Sequence, residues 1–136
     1  MAWVVDTCLL IDIAGADPNF SVASAALLDA RRSQGLTLCP VSYVELAPMF
    51  AGNQSAQDEF LFHLGVATTE AWAAVDTREA HAAWHQYVAD RRTGSTPKRP
   101  IADILIGAFA SRFDGLLTRN EPDFQRHFLR LPIVTP

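Results

Sequence analysis

The sequence predicts an α/β domain built on a mainly parallel sheet. Two observations carry this reading. Short apolar, β-favouring runs at residues 3–5, 36–39, 115–118 and 131–134 are separated by longer stretches with helical spacing of apolar residues. The 136 residues, 49% hydrophobic and 19% charged, suffice for a core burying roughly two-thirds of the unfolded surface. The whole chain, 1–136, is therefore expected to be a single domain. In such domains, sites sit beyond the carboxyl ends of the strands.

Trp3, Val4 and Val5 form the first expected strand. Asp6 or Thr7 is placed to cap a helix through Leu9, Leu10 and Ile13, stopped by Gly15. A second helix opens at Asn19 or Ser21 and places Val22, Ala26 and Ala30 on one face, with Leu27 beside them. After the second strand, Ser42 reads as the cap of a helix with Tyr43, Leu46, Ala47 and Phe50 on its stripe, and Glu45 at capping-box spacing. Residues 55–64 and 69–92 read as helical, the latter with a break near Asp76 and with Trp72, Val75, Trp84 and Val88 as core contacts. The segment 93–100, TGSTPKRP, is a loop. Pro100 suits the first turn of a helix whose stripe is Ile101, Ile104, Leu105, Ala108 and Phe109. A third strand, a short helix from Pro122 and a final strand complete the chain.

Composition narrows the function. No stretch of about 18 residues is apolar enough to span a bilayer, and the start carries Asp6 and Asp12 without a basic region, which argues against a signal peptide. Cys8 and Cys39 form no CxxC pair, so free thiols in a reducing cytoplasm are expected. The net charge is −4, but it is divided unevenly. Residues 1–90 hold 3 basic and 11 acidic side chains; residues 91–136 hold 8 basic and 4 acidic. Such asymmetry suits a local anionic partner, although solvated helix faces would give the same count.

Four acids fall at strand ends or helix starts: Asp6 after the first strand, Glu45, Asp103 and, after the third strand, Asp123. Each alone is accounted for as a helix-start acid. Together they point to one edge of the sheet, where carboxylates would repel each other unless a cation joined them. An oxygen-only donor set suits Mg²⁺ or Mn²⁺. Such an ion activates water and steadies charge in phosphodiester hydrolysis. Arg91, Arg92, Lys98, Arg99 and Arg119 are the cations placed to hold an RNA backbone. Other motifs are lacking. His81 and His85 are spaced as in a zinc helix, but the Glu of HExxH is missing; no serine-hydrolase elbow, GxGxxG or Walker sequence occurs.

The segments VVDTCLLID, PVSYVEL, PIADILIGAFA and LLTRNEPDF, in this order over essentially the whole chain, resemble the PIN domain, and within it the VapC-type toxins of bacterial toxin–antitoxin pairs. The resemblance implies a PIN-like α/β/α sandwich and a Mg²⁺- or Mn²⁺-dependent endoribonuclease acting on structured RNA. It implies Asp6, Glu45, Asp103 and Asp123 as catalytic acids and metal ligands, supported by Thr7, Thr118 and Asn120. It also implies a small VapB-like antitoxin as partner, and a homodimer. Cys8 departs from the pattern, standing where a small hydroxyl residue is common; some members also carry an acid at the Asn120 position. A non-catalytic PIN-like module that binds protein or RNA is the alternative. A haloacid-dehalogenase-like phosphatase would need Asp-x-Asp, and Asp6 is followed by Thr7-Cys8.

Overall fold

The computed structural model describes residues 2–91 and 100–136. Five strands form one parallel sheet: β1 (Trp3–Val5), β2 (Leu36–Thr37), β3 (Val66–Ala67), β4 (Gly115–Leu117) and β5 (Ile133–Val134), in the order β3-β2-β1-β4-β5. Parallel neighbours need crossovers, and the helices supply them. They are α1 (Thr7–Ala14), α2 (Ser21–Arg31), α3 (Pro40–Glu45), α4 (Gln54–Leu64), α5 (Ala74–Arg91), α6 (Ile101–Ala110) and α7 (Glu121–Gln125).

The strands are short, β2 and β4 are wholly buried, and alternate residues serve opposite faces. Val4 and Leu116 join Tyr87, Ile104, Phe109 and Phe124 in the layer of α5, α6 and α7. Val5 and Leu117 join Leu9, Leu10, Leu28 and Leu61 in the layer of α1, α2 and α4. This is the predicted α/β/α arrangement. From β1 the chain adds β2 and β3 on one side, then returns to place β4 and β5 on the other. The direction reverses beside β1, and the carboxyl ends at such a reversal are where open α/β sheets place their ligand sites.

Several local expectations are corrected. Ser42 does not cap α3; Cys39 is the N-cap residue and Pro40 occupies the first turn, where its fixed φ and missing N–H cost nothing. Ser42 is inside the helix and wholly buried, and Glu45 is the helix's last residue. On α2 the face of Val22, Ala26 and Ala30 is exposed; Ser24 and Leu28 face inward because Ser24 Oγ donates to the buried Asp12 Oδ2 at 3.1 Å. β3 was not anticipated, since two residues at a sheet edge leave no periodic signal. α5 starts at Ala74, later than expected, and runs unbroken past Asp76, whose carboxylate accepts from Ala73 N at 2.9 Å at the helix start. Val75 is exposed instead of packed.

α6 runs through the interior, with every residue from Ile106 to Ala110 buried. Gly107 is required there: a Cβ would stand 2.3 Å from Phe128 Cε2. Gly107→Ala must displace the Phe128 ring, so thermal or denaturant unfolding should show a loss of about 1–3 kcal/mol. An unchanged midpoint would mean that the ring shifts freely. Among the described residues, no helix is long and apolar enough to cross a membrane.

Candidate active site

Asp6 sits where β1 passes into α1, at the reversal point. Its backbone N–H donates to Leu117 O at 2.9 Å, which fixes it against β4. It is the N-cap residue of α1 but makes no side-chain capping bond. Its carboxylate, only 4% exposed, turns instead to other partners. Thr118 Oγ1 donates to Asp6 Oδ2 at 2.7 Å, and Cys8 Sγ donates to the same oxygen at 3.2 Å. Asn120 N in turn donates to Thr118 Oγ1 at 2.9 Å. A relay thus runs from the turn after β4 onto Asp6.

Thr7 Oγ1 donates to Glu45 Oε1 at 2.6 Å, which brings the exposed end of α3 to the start of α1. Burial holds the Asp6 carboxyl above its ordinary pKa, and the nearby Glu45 charge adds to this, against the hydrogen bonds from Thr118, Cys8 and Thr7. Burial also pushes the Cys8 thiol up to about 12, so it stays protonated and acts as a donor. The sulfur thus fills the position where a hydroxyl was expected.

The other predicted residues are distributed as follows. Asp103 lies half-buried in the first turn of α6, the helix that packs against α3. Asp123 is exposed in the first turn of α7, and Asn120 is that helix's N-cap residue. Arg91 ends α5 and is exposed. Arg92, Lys98 and Arg99 fall outside the described residues. Among the described residues, no three His, Cys, Asp or Glu side chains stand close enough together to hold a metal ion. The structure therefore joins Asp6 and Glu45 and places Asp103 and Asp123 on separate helix starts. The donor chemistry suits a hard divalent cation: the acids offer only oxygens, and the charge of Glu45 already bears unfavourably on Asp6.

Arg119 was expected as a backbone-binding cation. Its guanidinium grips Asp12 with both prongs, Nε to Oδ2 at 2.8 Å and Nη2 to Oδ1 at 2.9 Å. The Phe20 ring lies against it, 4.3 Å from the guanidinium carbon. Sequence reasoning missed Asp12 as a partner. The available signal was a lone acid within the apolar helix LLIDIA, since a buried charge needs a partner. This pair holds the Asp12 carboxyl below its ordinary pKa. Its folded-state value lies under the unfolded one, so the stabilisation is complete above about pH 4 and fades as the pH falls through the folded value. Wild type and Asp12→Asn should differ in melting temperature at pH 7 and converge in acid; a constant difference would exclude this carboxylate.

A cavity of about 470 Å³, lined by Asp76, Arg112, Phe128 and Pro132 among others, lies at the opposite, amino-terminal edge of the sheet. It contains none of the four acids.

No protein-family model and no curated protein matches the sequence significantly. A solved structure does match the fold. It is the crystal structure of VapBC2 from Rickettsia felis bound to a DNA fragment from its promoter, with a TM-score of 0.68 and 18% identity. The match covers 100% of this chain and 99% of that one. The chain shares its fold with a component of VapBC2. The PIN-like sandwich expected from the sequence is thus the fold observed.

Proposed function

We propose that this chain is a Mg²⁺- or Mn²⁺-dependent endoribonuclease, the toxin of a toxin–antitoxin pair. One observation carries the reading. Asp6 is buried at the point where the parallel sheet reverses direction, beside Glu45, and is held there by three donors of its own chain. Burying a carboxylate is costly. A role in holding a cation explains why the fold accepts that cost. The shared fold with a component of VapBC2 supports the toxin role and a small VapB-like antitoxin as partner. A homodimer is part of the same reading.

Asp6, Glu45, Asp103 and Asp123 would hold the ion. When bound, the ion supplies an activated water and stabilises charge on the phosphate. Thr118 and Cys8 orient Asp6 by donating to Oδ2. Thr7 orients Glu45 in the same way. Arg91, with Arg92, Lys98 and Arg99, would hold the RNA backbone. Arg119 is set apart from them by its pairing with Asp12.

The test is cleavage of total cellular RNA by purified, antitoxin-free protein, with Mg²⁺ or Mn²⁺ against EDTA, beside Asp103→Asn. Discrete fragments that need metal and vanish in the variant are expected. Cleavage that is unchanged in Asp103→Asn, or absent from folded wild type, would overturn the reading. The separation of Asp103 and Asp123 from the Asp6–Glu45 pair favours the second reading, a PIN-like module that binds protein or RNA without cutting.

A further inference from the structure

We propose that Arg119 is a positioning residue, clamped on Asp12 so that the turn after β4 holds Asp6 in place, and that it does not contact RNA. The inference rests on the ribonuclease reading above. Its geometry is independent of that reading. Residues 118–120 touch α1 at several points. Thr118 Oγ1 reaches Asp6 and also stands 3.7 Å from the sulfur of Cys8. The Arg119 side chain then runs along α1 to Asp12. Asp12 is 2% exposed and also accepts from Ser24 Oγ, so its position is fixed by α2 as well.

The chemistry of the clamp opposes a second duty. Nε and Nη2 of the guanidinium are committed to one carboxylate, and the Phe20 ring lies against one of its faces. A phosphate would have to compete with a charge already paired in two parallel bonds. Lysine offers a point charge in place of a planar fork, so it cannot reproduce this contact. The turn carries three links toward Asp6: the Thr118 hydroxyl on its carboxylate, the same hydroxyl against the Cys8 sulfur and the Asn120 N–H on Thr118. Loss of the clamp frees all three together.

The experiment is a double-mutant cycle of Asp12→Asn and Arg119→Ala, with Arg119→Lys as a milder variant. Two readouts are taken: steady-state RNA cleavage, and alkylation of Cys8 by iodoacetamide, followed on the Cys8 peptide by mass spectrometry. Either single change should lower kcat by about 10–100-fold, as loss of a supporting hydrogen bond does around a metal site. KM for RNA should stay unchanged, the double variant should be no worse than the poorer single, and lysine should fail to restore the rate. Cys8 alkylation should speed up in each variant. A raised KM and shallower salt dependence in Arg119→Ala, with kcat intact in Asp12→Asn, would make Arg119 an RNA contact and overturn the proposal. Should wild type cleave no RNA, the ribonuclease reading fails while the alkylation arm still decides the clamp. Cys8 protection unchanged in all variants would overturn it.

Discussion

Replacing Asp6 by asparagine is expected to abolish the proposed metal-dependent RNA cleavage and to raise the melting temperature of the metal-free protein. The two effects share one cause. The Asp6 carboxyl lies at the meeting of β1, β4 and α1, with 4% exposure, and burial holds its pKa above the ordinary value. A group whose folded-state value exceeds its unfolded one stabilises the fold only while protonated. That contribution is complete below about pH 4 and is lost as the pH rises through the folded value. At neutral pH burying this acid is therefore a net cost relative to a neutral side chain, increased by the charge of Glu45. Asparagine keeps an acceptor for Thr118 and removes the charge. Changing the neighbours of a metal ligand costs about 10–100-fold, and losing the ligand itself should exceed this. The measurement is thermal unfolding of both proteins in EDTA and then in Mg²⁺. Wild type should gain stability with Mg²⁺ and the variant should not. A lower melting temperature for Asp6→Asn in EDTA, or an equal Mg²⁺ response, would remove the argument that this site is strained for a cation.

The features legible in the sequence were those set by local pattern. Strand β1, the run into α1 and the apolar length of α6 each declare themselves within a few residues, and Asp6 at a strand end follows directly. Thr118 and Asn120 stood out only through the family resemblance; in the structure the Thr118 hydroxyl donates to Asp6 and the Asn120 N–H donates to Thr118. Contacts between distant elements were not legible. Nothing near Glu45 indicates that Thr7 would reach it across 38 positions, nor does Arg119 announce Asp12 at 107. The face of α2 was misassigned for a related reason. Alanine spacing suggested one side, whereas the hydrogen bond from Ser24 to Asp12 turns the other side inward. Leu28 gains its burial on that same side, and Ser24 adds a further donor to the buried Asp12 carboxylate, so the two together outweigh a few small apolar groups.

The largest expected loss of stability comes from the far edge of the sheet. Asp76, 1% exposed at the start of α5, accepts from Arg112 Nε at 2.9 Å and Nη2 at 2.8 Å. Arg112 also donates to Ala71 O at 3.0 Å and lies over the rings of Phe109 and Phe113. Trp72 stacks on Phe109 from the same segment. One guanidinium therefore ties the segment before α5 to the turn that leads from α6 into β4. Arg112→Ala leaves a buried carboxylate without its counter-charge. Breaking a buried pair from one side costs about 3–5 kcal/mol, and the 29% exposure of the Arg112 side chain places this case near the lower end. Removing both partners should cost less than removing Arg112 alone, because no unpaired charge then remains. Chemical denaturation of Arg112→Ala, Asp76→Ala and the double variant decides this. If the double variant is less stable than Arg112→Ala, the pair acts by packing on the Phe109 and Phe113 rings, and the charge of Asp76 is not what Arg112 compensates. RNA cleavage well below the melting temperature should survive in Arg112→Ala, since the pair and its cavity sit at the edge opposite Asp6. That outcome would make activity and stability separable: the burial of Asp6 costs stability at one end of the sheet, and the Asp76–Arg112 pair holds the other end together.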